Sequence, residues 1–325
     1  MKRFICLILV LMIGFALSAC SKTETDIDTT ITKTNSETEQ PIKDTITEQQ
    51  ITLKEYISES EEINYDSHHV EISIYTDEHY YFTNRNQEFY SDLIGFLEKS
   101  ITVTETEYQY DPEVFEYTIA IYDNTNSTSI SILKTDIIYS IYNDTAYYCE
   151  GIYETVKSLF KPHIDIYNDF CRSASTKVRY RNEYVIQDKN RNILDADCIS
   201  REPSIFYIDG IVHLWVQTGT GHLTRWTYFY DVETGEKSPV YSGQTDFYKN
   251  VVISVRHSGV YFYDMFTGEE LYVINEFEKP LLDGMENVES AYFTEDGTQV
   301  IVEYLNTDCH TETQIFDFPQ EFYAD

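Results

Sequence analysis

Hydrophobic and polar positions divide the chain into four stretches. Phe4 to Ala19 is apolar apart from Ser18, and it follows Met1-Lys2-Arg3. Residues 21–50 are Thr, Ser, Glu, Asp, Gln and Lys with almost nothing apolar, too little to bury against a core. From about 68 to 161 the pattern is mixed. Val70, Ile72 and Ile74 alternate as on a half-buried strand. Asn84 and Gln87 read as a capping pair ahead of a helical stripe of Phe89, Leu93, Phe96 and Leu97. Strand-like runs follow at Ile101–Val103, Tyr117–Ile121 and Ile130–Ile132, with a less regular one over Ile137–Tyr148. Ile152, Val156, Leu159 and Phe160 then predict a second amphipathic helix, which Pro162 is expected to stop.

From about 176 onward strands and tight turns replace helices. Ile205–Ile208, Asp209-Gly210 and Ile211–Val216 form a hairpin signal, since Asp-Gly accepts the positive φ angles of a two-residue turn. Tyr292-Phe293, Glu295-Asp296-Gly297 and Val300–Tyr304 give a second. One local pattern recurs: Tyr228-Phe229-Tyr230-Asp231-Val232-Glu233-Thr234-Gly235-Glu236 is nearly restated at Tyr261-Phe262-Tyr263-Asp264-Met265-Phe266-Thr267-Gly268-Glu269. The aspartate can accept turn N–H groups and the glycine supplies a left-handed residue. Looser copies lie at Val185-Ile186-Gln187-Asp188 and Ile315-Phe316-Asp317. The aspartates at 188, 231, 264 and 317 are spaced by 43, 33 and 53, with a mean of 43, and propeller blades repeat at about 40–45 residues.

These patterns predict an α+β N-terminal domain followed by an all-β domain of antiparallel hairpins. The two good copies resemble the outer-strand hairpin of quinoprotein-type and related β-propeller repeats, an aromatic strand ending Asp-x-x-Thr-Gly. Val240 and Tyr272 stand where such repeats often carry a tryptophan. The resemblance implies a propeller-like domain, and a β-sandwich of the same hairpins is the alternative. The expected organisation is a signal peptide at 1–19, a disordered acidic tether at 20–50, an α+β domain at 51–163 and an all-β domain at 164–325.

Charge, a short apolar run and small residues before Cys20 are the layout of a secretory signal peptide. Leu17-Ser18-Ala19-Cys20 resembles the lipobox of bacterial lipoproteins. The resemblance implies a diacylglyceryl thioether on Cys20, cleavage before it, acylation of the freed amine with a fatty acid such as palmitate, and an extracytoplasmic protein anchored in the cell membrane by lipid. The apolar run of 16 residues is shorter than the roughly 20 of a spanning helix. No cofactor is expected beyond that acyl lipid.

Net charge is −33, so the surface repels phosphate backbones and nucleic acid is not an expected partner. Expected partners are the membrane, through the anchor, and an envelope protein, peptide or glycan. Of six cysteines, Cys149, Cys171, Cys198 and Cys309 remain once Cys6 leaves with the signal and Cys20 is lipidated. They allow three full disulfide pairings, and spacing does not choose among them.

Candidate chemistry is sparse. Thr218-Gly219-Thr220-Gly221-His222 is Gly-rich but joins two strand signals and lacks the following helix of a phosphate cradle. His68, His69 and His79 form the densest histidine group, without the convergent spacing of a metal site. No hydrolase or zinc-protease motif occurs, so no catalytic residue and no metal ligand is named. A ligand groove is sought first around Trp215, Gly219, His222 and Trp226, where an aromatic could stack on a sugar or peptide or serve as ordinary cross-strand packing. The expected role is binding or scaffolding at the cell envelope without enzymatic activity. The alternatives are an envelope hydrolase or quinoprotein-like enzyme, and a solute-sensing lipoprotein.

Overall fold

The computed structural model describes residues 48–58, 63–67, 69–76, 78–108, 117–123, 126–140, 145–176, 181–199, 201–217, 224–256, 259–282 and 287–323. The leader, Cys20 and most of the expected tether lie outside these. The last three tether positions, 48–50, belong to β1 (Glu48–Thr52), which pairs with β4 (Ser100–Glu105).

In the N-terminal part β1 is followed by the short helix α1 (Leu53–Ser58), the hairpin β2 (Glu71–Tyr75) and β3 (His79–Thr83), and α2 (Gln87–Glu98). After β4 come β5 (Tyr117–Tyr122), β6 (Ser127–Ile132), β7 (Ile137–Ser140), β8 (Thr145–Tyr148) and α3 (Ile152–Phe170). Antiparallel pairing orders these strands β1-β4-β8-β7-β6-β5-β2-β3. The predicted stripe of α2 is its buried face: Phe89, Leu93, Phe96 and Leu97 are all buried. Phe89 stacks on Phe82 of β3 at 4.0 Å and meets Phe160 of α3 at 5.5 Å, which fastens both helices to the sheet. Burying one such ring contributes about 1.5–3 kcal/mol.

Two local expectations are corrected. Asn84 does not cap α2. The N-cap is Asn86, and its side chain makes no cap bond. Asn86 instead accepts from Thr83 N at 3.0 Å and donates to Tyr207 O at 2.7 Å, so long-range structure claims the group that the local pattern assigned to capping. Pro162 does not stop the second helix: α3 runs on to Phe170. An interior proline costs about 3 kcal/mol. Beyond it the helix buries Tyr167, whose hydroxyl donates to Ile205 O at 2.8 Å, and places His163 Nε2 2.9 Å from Asp92. That packing offsets the lost backbone bond. Among the described residues no helix is long and apolar enough to cross a membrane.

The remaining strands form four consecutive antiparallel meanders. They are β9 (Cys171–Thr176) to β10 (Arg181–Gln187) and β11 (Ile193–Ile199); β12 (Ser204–Ile208), β13 (Ile211–Gln217), β14 (Arg225–Asp231) and β15 (Tyr241–Ser242); β16 (Thr245–Tyr248), β17 (Val251–Arg256), β18 (Gly259–Asp264) and β19 (Glu270–Ile274); and β20 (Val288–Phe293), β21 (Gln299–Leu305) and β22 (Thr311–Asp317). β12 also pairs with β3 in parallel, Phe206 opposite Tyr81. Among the described residues the second meander thereby extends the N-terminal sheet to twelve strands. The sheet thus runs across the boundary expected at 163/164.

The turns have the predicted chemistry. Asp209 (φ 48) and Gly210 (φ 85) join Ile208 to its partner Ile211. Asp231 Oδ1 accepts from Glu233 N at 2.8 Å and Thr234 N at 3.0 Å, and Asp264 Oδ1 accepts from Thr267 N at 2.8 Å. Asp188 Oδ1 accepts from Asn190 N and Asn192 N, both at 2.8 Å. Asp317 breaks the series. It ends β22, accepts from Gln299 Nε2 at 2.8 Å, and the chain leaves through Phe318 and Pro319 into a 3-10 turn, Gln320–Phe322.

Neighbouring meanders share cores. Phe206 and Phe229 of the second bury against Phe247, Val252 and Met265 of the third. Val251, Ile253 and Phe262 of the third pack against Phe293, Val300 and Val302 of the fourth, and Phe318 closes this cluster 4.8 Å from Phe262. Among the described residues the four cysteines are free thiols: Cys149 and Cys171 are buried, Cys198 half-buried and Cys309 exposed.

Candidate functional site

Period-two alternation on adjacent strands builds one polar patch. On β13, Val212 and Leu214 turn into the core, which leaves His213 and Trp215 on the opposite face. Thr227 of β14 lies directly opposite Trp215, and Arg225, two residues before it, shares that face. Phe206 of β12 lies opposite His213. Glu71, at the start of β2, faces Thr83 at the end of β3, with Arg85 just beyond. Gln244, just before the third meander, Thr245, Asp246 and Phe247 within it, and Tyr292 of the fourth complete a cavity of about 50 Å³. One water needs roughly 10–15 Å³ of such space.

Part of this cluster is a clamp. Arg85 donates to Asp246 Oδ2 at 2.6 Å and to the Phe247 carbonyl, and Phe293 N donates to the same carboxylate oxygen at 2.8 Å. The pair ties the end of β3 to the third and fourth meanders, and both side chains are largely buried.

The other polar groups are less saturated. His69 Nε2 lies 3.0 Å from Glu71 Oε1, and the His69 ring stacks on Tyr292 at 4.4 Å. Burial would raise the Glu71 carboxyl, but the hydrogen bond and charge of His69, with Arg225 and His213, outweigh it and hold the group below the usual carboxylate range. Glu71 is ringed by protein yet keeps 39 % of its side-chain surface open, and it lines the cavity. His213 stacks on Phe229 at 4.8 Å, and Nε2 lies 3.4 Å from Thr245 Oγ1. Burial drives its pKa down to about 3, against the opposing pull of Glu71, so the ring is neutral. Burial likewise pushes the Tyr292 hydroxyl far above its usual range, aided by Glu71 and Asp246. The Arg225 guanidinium lies 4.5 Å from the Trp215 ring centre and donates from Nε to Gln217 at 3.4 Å. Among the described residues no carboxylate lies within 4 Å of it. Gln244 Oε1 is buried without a hydrogen-bond partner.

Of the residues expected to mark a groove, Trp215 lines this cavity. Trp226 pairs with Val216, so it points to the other face and is 53 % exposed. Gly219 and His222 lie outside the described residues, as does His68. His79 pairs with Glu202, away from the cavity. Sequence reasoning did not single out Glu71, Arg85, His213, Arg225, Asp246 or Tyr292. The available signal was a histidine alternating with core residues in an otherwise apolar strand, Val212-His213-Leu214. Among the described residues no group of three or more His, Cys, Asp or Glu is placed to hold a metal ion. A wider groove of about 880 Å³ lies alongside, with Arg85 in its wall and Asp66, Asp123, Glu295 and Glu303 among its lining.

No family model matches the chain, and no curated protein matches it in sequence. Among solved structures, one match is a dihydro-heme d1 dehydrogenase, NirN, in complex with DHE. It is 8 % identical, with a TM-score of 0.30, over 67 % of this chain and 52 % of that one. The chain therefore spans about half the length of that protein. A likeness this low carries no argument about chemistry.

Proposed function

We propose that this chain is a lipid-tethered, extracytoplasmic binding protein that captures a small polar solute. The tether reading rests on residues 1–20: a charged start, a short apolar run, and Leu17-Ser18-Ala19 ahead of Cys20. The four meanders are read as blade-like repeats of an open, propeller-like arc that leans on the N-terminal sheet. One observation carries the binding reading: a cavity lined by Glu71, Arg225 and the unpartnered Gln244 oxygen, whose polar groups are not used up by one another. Buried polar groups are almost always paired, so these favour an occupant. A hydrolase is disfavoured by the same geometry. His213, which lies 3.4 Å from the Thr245 hydroxyl, has a pKa near 3 and is a weak base for taking its proton.

Two measurements test this. Cys20→Ala should move the protein out of the membrane fraction and abolish fatty-acid labelling. Retention in the membrane with undiminished label would end the anchor reading. Full-length protein in detergent should show a saturable rise in Tm with at least one of a panel of amino acids, carboxylates, amines, sugars and inorganic phosphate, and Trp215→Ala should reduce it. A solute at 100 times its Kd stabilises by about 2.7 kcal/mol. A flat response to the whole panel would end the solute-binding reading.

A further inference from the structure

We infer that the cavity is built for a small zwitterion, an α-amino acid of glycine or alanine size, with its ammonium toward Glu71 and Gln244 and its carboxylate toward Arg225. This rests on the solute-binding reading above and names the class of solute. Charge balance favours a zwitterion. Arg85 is matched by Asp246 in the clamp. His213 is neutral, and Glu71 meets His69 through Oε1 alone, which leaves the second Glu71 oxygen and the Arg225 guanidinium, one anionic and one cationic group, with no ion pair between them within 4 Å. A singly charged solute would satisfy one of them and leave the other facing it unmatched. A solute that is neutral overall but carries separated charges satisfies both.

The donors and acceptors of the wall favour the same class. Gln244 Oε1 is buried and unpartnered, so it asks for an N–H or O–H from the occupant. Glu71, with Oε1 on His69, asks for the same at its second oxygen. Arg225 offers two terminal nitrogens in a fork suited to a carboxylate, and its stacking on Trp215 holds the fork in one plane. Acceptors and donor therefore come from different walls, Glu71 from β2, Gln244 from the segment before β16 and Arg225 from β14, as an ammonium and a carboxylate on one carbon require.

The cavity volume limits the size of the solute. About 50 Å³ is room for a few waters, hence for a solute of about five heavy atoms, which glycine matches and alanine exceeds by one. Phe206 and Phe247 also line the cavity, and an amino acid with a branched or aromatic side chain well exceeds this volume.

Titration calorimetry on the full-length protein in detergent tests the assignment with glycine, alanine, leucine, acetate and ethanolamine. Glycine or alanine should bind saturably. Leucine, acetate, which lacks the amine, and ethanolamine, which lacks the carboxylate, should each bind at least about tenfold more weakly. Glu71→Gln and Arg225→Gln should each weaken glycine or alanine by about tenfold or more, Arg225→Lys should lose less, and Trp226→Ser should change nothing. Acetate or ethanolamine binding as tightly as glycine overturns the zwitterion assignment, as does undiminished binding in both charge variants. The analogue comparison uses unaltered protein, so it decides the matter even if a variant fails to fold. A sugar or phosphate that raises Tm while glycine and alanine do not bind overturns this inference and leaves the solute-binding reading standing. No response to any of them overturns both.

Discussion

His213 illustrates how one residue sets a pH response. Its ring is enclosed between Phe206, Phe229 and Phe247, and it resists protonation until about pH 3, whereas an unfolded histidine takes up its proton near 6.5. Between these values the unfolded chain binds the extra proton, so stability falls as pH falls through that window. Glu71 acts in the same direction. Its carboxyl is held below its ordinary value, and the stability that gives is lost as the carboxylate is protonated in acid. The groups facing His213 include Glu71, Arg85, His69 and Arg225. We predict that Tm falls between pH 7 and 4 and that His213→Phe flattens this slope. An equal slope in the variant, measured by thermal melts in matched buffers, would assign the response elsewhere. The period-two pattern of β13 was legible in the sequence, because alternation is a local property. The environment of His213 was not, because Phe229 and Phe247 reach it from other strands.

At the scale of elements, the repeated aspartate turn shows which copies bear structure. Asp264 receives Thr267 N and Thr267 Oγ1, both at 2.8 Å, and Gly268 follows with φ 72. A hydrogen bond to a charged group contributes about 1.5–3 kcal/mol. Asp264→Ala should therefore destabilise by about 1–3 kcal/mol. Asp317→Ala, which removes one exposed contact to Gln299, should stay within about 0.5 kcal/mol. Chemical denaturation of the two variants checks the contrast, and equal losses would contradict it. The sequence displayed the hairpins well because their turns are specified by adjacent residues. It misjudged α3 because the rule for proline is local, while Tyr167 is secured by a carbonyl 38 residues away.

On the scale of the whole molecule, the Arg85–Asp246 clamp joins the N-terminal sheet to the third and fourth meanders across 161 residues of sequence. Removing one partner of a buried pair leaves the other charge uncompensated, at a cost of about 3–5 kcal/mol. Arg85→Met should lower stability by that order in denaturant melts. A loss under about 1 kcal/mol would show that the clamp is dispensable. Arg85 and Asp246 line the cavity, which takes its other walls from β2, β3, β12, β13, β14, β16 and β20, so damage to the clamp should also loosen the solute site.

The sequence by itself determined the alternating strands, the helical stripe of α2 and the Asp-Gly and Asp-x-x-Thr-Gly turns, because steric and hydrogen-bond preferences act over a few residues. Only the tertiary structure decided that Trp215 faces a cavity while Trp226 faces outward, since this depends on the β13–β14 register, where a slip of one residue would exchange the faces. It alone brought Glu71, Arg225 and Gln244 to one space. Long-range strand pairing sets that convergence, and no local pattern encodes which distant polar residues will meet.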